Sequence, residues 1–92
     1  MSNANDPRFK DLLRQLRAAG DANRLRILLI ISGRRKVCVS EVAEELGMSV
    51  AVISHHMRSL AKGGLVVPER HGKRICYIPK DNDLTKLIRK KI

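Results

Sequence analysis

The sequence predicts a mainly α-helical domain that carries one small β-hairpin. Apolar residues recur at helical spacing through most of the chain. Gly, Asp and Ser stand between these periodic stretches, where helices stop and start. Only one segment, residues 65–78, has the β-prone runs flanking a Gly-containing tip that make a hairpin. Ninety-two residues make one domain, and a chain this short buries only roughly 60–65% of its unfolded surface. Pairing with a second copy is therefore an expected way to bury more.

The elements follow in order. Residues 1–6 are small and polar and are expected to form a disordered tail, leaving 7–92 as the single domain. Pro7 suits the first turn of a helix. Phe9, Leu12, Leu13, Leu16 and Ala19 continue it, and Gly20 ends it. Asp21 can cap a second helix from Ala22 to about Ser32. Leu25, Leu28 and Leu29 line one face of it, and Ile27, Ile30 and Ile31 fill most of the rest. A helix apolar nearly all round is a central core helix. Gly33 is expected to stop it before the basic connector Arg34-Arg35-Lys36. Val37–Val39 reads as a short strand.

Cys38 stands three residues before Glu41, at the first position of a capping-box spacing, where Ser or Thr is usual. The helix that follows runs to Leu46, with Val42, Ala43 and Leu46 inward and Glu44 and Glu45 outward. Gly47 breaks it and Met48 plugs the turn. Ser49 can cap the next helix, Val50 to about Lys62, whose Ile53, Met57, Leu60 and Ala61 face the core. Gly63-Gly64 ends it. Leu65–Val67 reads as a strand, Arg70-His71-Gly72-Lys73 as a hairpin tip, and Arg74–Ile78 as the return strand, ended by Pro79. Asp81 to Asp83 can cap a fifth helix with Leu84, Leu87 and Ile88 on one stripe.

Two helices joined by Gly47-Met48-Ser49 and followed by a hairpin make a winged helix-turn-helix. In that unit the second helix enters the DNA major groove with its N-terminal residues nearest the bases. Charge agrees with this. Nineteen Lys and Arg against nine Asp and Glu give +10, which attracts polyanions. Between Cys38 and Ser54 there is no Lys or Arg and there are three Glu, whereas Arg58 through Lys80 carries six basic residues and one acid, Glu69. The helix before the turn is acidic, and the reading helix and hairpin are basic. Phe9 and Tyr77 are the only aromatic residues, too few for the base stacking that single-strand binders use. Duplex DNA is the expected partner. The longest apolar run, Ile27 to Ile31, is far short of a membrane span, and the N-terminus has no signal-peptide pattern. A cytoplasmic, nucleoid-associated location follows. No acid, base and nucleophile stand at a recognisable catalytic spacing, so neither an enzyme nor a cofactor is expected.

Several segments resemble the ArsR/SmtB family of transcription regulators. Asp21-Ala22-Asn23-Arg24-Leu25-Arg26-Ile27-Leu28 is similar to the family's D-P-T-R-L-R-I-L. Glu41-Val42-Ala43-Glu44-Glu45-Leu46-Gly47-Met48-Ser49 is similar to its E-L-A-E-x-L-G-L-S. Val52-Ile53-Ser54-His55-His56-Met57-Arg58-Ser59-Leu60 is similar to its T-V-S-H-H-L-K-x-L. Gly63-Gly64-Leu65-Val66 and His71-Gly72-Lys73 resemble its strand and wing. The resemblance covers about Asp21 to Ile78. It implies a homodimeric repressor released from its operator by an inducer. It also implies that Ser49, Val50, Ala51, Ser54 and His55 face the groove, and that Arg58, Lys62, Lys73 and Arg74 meet phosphates. Val50-Ala51-Val52 departs from the family, which commonly places Gln, Ser or Thr there. Apolar groups can touch thymine methyls but make no bidentate hydrogen bond, so a T-containing half-site or readout of DNA shape is expected.

The familiar metal ligands are missing. The family's thiol site resembles Cys-Val-Cys, and here stands Cys38-Val39-Ser40. The last helix offers Asp81 and Asp83 but no His. Soft-metal sites generally need two or more thiolates, so metal sensing is not expected. Cys38 lies before a helix N-terminus near Arg35 and Lys36, features that favour a thiolate. If the short strand pairs with the return strand, Cys38 and Cys76 come close enough for a redox-switched disulfide; two ordinary small core or edge residues are the alternative. A Cα separation above about 7 Å would oppose a bridge.

The apolar stripes of the terminal helices, Leu12, Leu13, Leu16 and Leu84, Leu87, Ile88, are more than one small core can hide. They are the expected homodimer interface, setting two reading helices about 34 Å apart. A sequence-specific regulator is the leading reading. A low-specificity architectural or nucleoid DNA-binding protein and a protein-interaction module are the alternatives. The operator and the inducer, whether a small molecule or a redox signal, are not legible.

Overall fold

The computed structural model describes residues 4–91 of the chain. In order they form α1 (Pro7–Ala19), α2 (Ala22–Arg34), β1 (Val37–Cys38), α3 (Val39–Leu46), α4 (Val50–Lys62), β2 (Val66–His71), β3 (Arg74–Pro79) and α5 (Asp83–Lys91). The strands make one antiparallel sheet in the order β1-β3-β2. This is the winged helix-turn-helix predicted from the spacing.

α2 is the centre of the core. Its Ile27, Leu28 and Ile31 are fully buried, against Val42 of α3, Ile53, Met57 and Leu60 of α4, and Leu65. Each such side chain contributes about 1.5–3 kcal/mol relative to leaving it in water. These contacts hold α3 and α4 at a fixed angle, so the outward face of α4 is positioned by its inward one. Gly63 is where α4 meets α1: a β-carbon there would collide with that of Ala18. No other residue type lets the two helices approach so closely.

Local hydrogen bonds set the helix starts. The Asp21 carboxylate accepts the Arg24 backbone N–H at 3.0 Å, and the Ser49 hydroxyl accepts that of Val52 at 3.1 Å. Asp6, which the sequence places in the tail, accepts the Arg8 N–H and caps α1. Residues 1–3 of the expected tail lie outside the described residues. At α5 the cap falls on Asn82, and Thr85 is its partner. The Thr85 N–H donates to Asn82 Oδ1 at 2.9 Å, and the Asn82 N–H donates to Thr85 Oγ1 at 3.1 Å. Thr85 is fully buried and donates its hydroxyl to the Lys80 carbonyl, which anchors α5 to the end of the sheet.

Three expectations need correction. Gly33 does not stop α2. The helix runs on to Arg34 and ends at Arg35, which adopts φ 70° and donates its N–H to the Ile31 carbonyl. Glycine merely tolerates a helix, and the ion pair of Arg34 with Glu45 on α3, 2.6 Å, spans the added turn. Val39 belongs to α3 rather than to the preceding strand, because Cys38 is the N-cap. The hairpin tip is shorter than the four residues expected. His71 pairs with Arg74, leaving only Gly72 and Lys73 between the strands. Gly72 takes φ 62°, which a two-residue hairpin turn requires and glycine supplies without strain. Pro68 is accommodated because β2 is an edge strand.

Candidate nucleic-acid interface

α4 has one buried stripe, Ile53, Met57 and Leu60. Its 3.6-residue period therefore turns the other positions outward. Ser49, Val50, Ala51, His55, Arg58 and Lys62 are exposed and Ser54 is half-buried. On the wing, Lys73 and Arg74 are exposed as well. The fold brings the two sets together. Val50 and Ser54 of α4 and Lys73 and Arg74 of the wing line one crevice of about 210 Å³, with Cys38, Val39, Ser40 and Ile75. The start of the reading helix and the root of the wing thus share a surface, although twenty or so residues separate them in the chain.

His56 behaves differently from its neighbour. It is half-buried, and its Nδ1 is enclosed with no hydrogen-bond partner among the described residues. It lies near the start of α2. The Asp21 carboxyl is held below the usual carboxylate range chiefly by the Arg24 N–H, with smaller help from the charges of Arg24 and His56. His56 is a packing residue between helices, and His55 is the imidazole that faces outward.

The wing's charges are in part engaged within the protein. Arg74 Nη2 lies 3.3 Å from Glu41 Oε1. Glu69 Oε1 accepts from Lys36 Nζ at 3.3 Å and pairs with His71 Nε2 at 2.7 Å. These partners, Lys36 first and His71 second, hold the Glu69 carboxyl below its ordinary range. Arg58, Lys62, Arg70 and Lys73 have no ion pair among the described residues. Arg70 was not among the residues singled out from the sequence. Its signal was its place on the edge strand beside the tip, where only the hairpin register shows it exposed.

Cys38 and Cys76 face each other directly in the β1–β3 ladder and are joined as a disulfide, with Cα atoms 3.7 Å apart. The short strand does pair with the return strand, as the bridge requires. Cys38 also caps α3, and its N–H donates to Glu41 Oε1 at 3.2 Å, the return half of a capping box. The donor set does not fit a soft metal. Ser40 stands where a second thiolate would be, and the Cys38 sulfur is bonded to Cys76. Among the described residues no three His, Cys, Asp or Glu converge on a point. No described helix is long and apolar enough to cross a membrane.

The terminal helices divide the expected interface residues. Leu12, Leu16 and Leu87 are exposed by 47–51%, as is Phe9. Leu13 is half-buried. Leu84 and Ile88 pack against the chain's own core.

A family model described as bacterial regulatory protein, arsR family, matches residues 21–67. The cadmium resistance transcriptional regulatory protein CadC of Listeria innocua is 35% identical over 68 residues, covering 74% of this chain and 57% of that protein. The chain thus spans a little over half the length of this relative. An uncharacterized HTH-type transcriptional regulator of Methanocaldococcus jannaschii is 32% identical over 73 residues, 79% of this chain and 82% of that one. Among solved structures, HlyU from Vibrio cholerae superposes with a TM-score of 0.84 at 21% identity, over 94% of this chain and 92% of that one. A homodimeric winged helix-turn-helix DNA-binding domain from Mycobacterium bovis, a possible ArsR-family regulator, gives 0.83 at 25% identity, over 99% and 83%.

Proposed function

The chain belongs to the ArsR family of bacterial regulatory proteins, and from that premise we propose that it is a sequence-specific duplex-DNA-binding repressor acting as a homodimer. The crevice shared by Val50, Ser54, Lys73 and Arg74 carries the reading. It joins groups able to touch base edges with groups able to touch phosphates. Ser49, Val50, Ala51, Ser54 and His55 enter the major groove. Ser54 and His55 donate or accept hydrogen bonds there, and Val50 meets thymine methyls. Arg58, Lys62, Lys73 and Arg74 meet phosphates, which positions the helix but carries no sequence information.

The dimer follows from Phe9, Leu12 and Leu16 on α1 and Leu87 on α5. Apolar side chains left half-exposed on the two terminal helices favour burial against a second copy. That the Mycobacterium bovis domain is a homodimer supports the same arrangement. Two reading helices related by a two-fold axis select half-sites about 34 Å apart. DNA binding places the protein in the compartment that holds the chromosome.

One observation favours a second reading. Val50 and Val52 expose 54% and 41% of their surface and form no hydrogen bonds to bases, as in a binder that relies on charge and DNA shape. The deciding experiment is selection of bound duplexes from a random pool, followed by titration of the selected and a scrambled duplex across salt. A repressor prefers its selected site by at least about 10³-fold. Equal affinities leave the architectural reading, and sedimentation as a monomer at micromolar concentration removes the dimer.

A further inference from the structure

We propose that Cys38 and Cys76 are a hydroperoxide-responsive thiol pair whose oxidation weakens DNA binding by holding the wing cation Arg74 on Glu41. The inference rests on the DNA-binding reading above, in which Arg74 meets a phosphate.

The geometry joins two links side by side. Arg74 and Cys76 are two apart on β3 and so share a face of the strand. Their partners, Glu41 and Cys38, are the third residue and the N-cap of α3. The disulfide and the Arg74–Glu41 pair therefore run in parallel from one strand to one helix end. β1 pairs with β3 through two residues only, Val37 with Tyr77 and Cys38 with Cys76. A covalent link in so short a ladder accounts for half of its residue pairs. With the link closed, the Arg74 guanidinium stays at high effective concentration beside the carboxylate. With it open, no covalent bond fixes β3 to the start of α3, and Arg74 can leave for a phosphate.

Access and reactivity are present at the same place. Both cysteines, with Lys36, Glu41, His71 and Arg74, line a cavity of about 440 Å³. Cys38 is the more exposed of the two cysteines, 7% against 1%, and it is the N-cap of α3, where the helix N-terminus stabilises negative charge. The Cys38 thiolate attacks one oxygen of the hydroperoxide. The O–O bond breaks, Cys38 becomes a sulfenic acid, and the other oxygen takes up a proton and leaves as water or alcohol. The Cys76 thiol then attacks the sulfenic sulfur; the S–S bond forms, and hydroxide departs with the thiol proton as water. The two sulfurs supply the two electrons that the peroxide accepts, and a dithiol reductant reverses the change.

The test compares wild-type protein reduced by dithiothreitol with the same protein after hydrogen peroxide. Thiol alkylation read by mass spectrometry should find two free thiols before and none after. Affinity for the selected duplex should fall about tenfold on oxidation, the loss of one exposed cation contact per protomer. The slope of log affinity against log salt should become shallower by roughly 2, one phosphate per protomer in a dimer. Glu41→Gln keeps an acceptor for the Cys38 N–H but releases Arg74. It should still form the disulfide and lose most of the peroxide effect on affinity. Equal or tighter binding by oxidised wild type, thiols that survive peroxide, or an undiminished effect in E41Q each overturns the proposal. Failure of the reduced protein to bind any duplex overturns the DNA-binding reading instead.

Discussion

Along α4, Arg58 and Lys62 project without a carboxylate partner among the described residues, whereas on the wing Arg74 is held by Glu41 and His71 by Glu69. The difference follows from what each element packs beside. Beside the α4 cations no carboxylate stands among the described residues; Lys62 lines a pocket with other cations, Arg14, Arg17 and Arg24. The wing lies alongside the acidic start of α3, so part of its charge is already compensated. An unpaired cation is ready for a phosphate. A paired one must first leave its partner, and its net contribution to binding is smaller. In the proposed interface the α4 cations and Lys73 are ready for phosphate, and Arg74 is the conditional one.

The largest change to this contrast comes from beneath α4. Met57 is fully buried, and Met57→Ala should cost about 2–5 kcal/mol in urea-induced unfolding. Because the inward stripe positions the outward face, DNA binding should fall with it, while a buried-face variant that left binding intact at full unfolding loss would separate the two. Next in size, Ser54→Ala or His55→Ala should relax discrimination by about 1–3 kcal/mol at one base position, measured on duplexes with single-base changes, with little effect on scrambled DNA. Lys73→Ala should weaken binding to all sequences alike and lower the salt slope by about 1 per protomer. With the Cys38–Cys76 disulfide closed, Arg74→Ala should do less, because Glu41 holds that charge; an equal effect of the two in the oxidised protein would erase the distinction between free and engaged cations. Ser49→Ala removes the cap on the Val52 N–H and should lower stability by about 1 kcal/mol in thermal melts.

The smallest effect is one of pH. Glu69 titrates below the ordinary carboxylate range because Lys36 and His71 stabilise its charge. A depressed folded-state pKa contributes stability above the unfolded value, and that contribution is lost as pH falls through the folded one. The melting temperature of wild type should therefore lose a small advantage over Glu69→Gln as pH is lowered through and below the usual carboxylate range. An advantage that persists at the acid end would mean that the wing pairs are not formed in solution.

Much of the fold was legible in the residues. Pro7, Gly20, Asp21, Gly47, Ser49 and Gly63 mark helix ends within a residue or so, because caps and stops act over one turn of chain. The boundaries that slipped were those decided at longer range. Arg34 extends α2 past Gly33 with a partner on α3, and the hairpin closes on Gly72-Lys73 through cross-strand pairing. Of the candidate site, the outward position of the α4 residues follows from helical period, while their assignment to DNA came from the family resemblance. That Arg74 is engaged, and that Arg70 has no ion pair among the described residues, could not be read from the sequence, since nothing local to either residue distinguishes them.

The sequence by itself determined the order of the helices, the buried stripe of α4 and the excess of positive charge on the second half of the chain. These depend on spacing and composition, which are properties of neighbouring residues. Only the tertiary structure decided that Cys38 stands opposite Cys76, that the crevice joins Val50 and Ser54 to Lys73 and Arg74, and that Glu41 holds a wing arginine. Those contacts join residues about 20 to 40 positions apart, and their partners are selected by how α2 packs the helix pair against the sheet, not by any local preference of the chain.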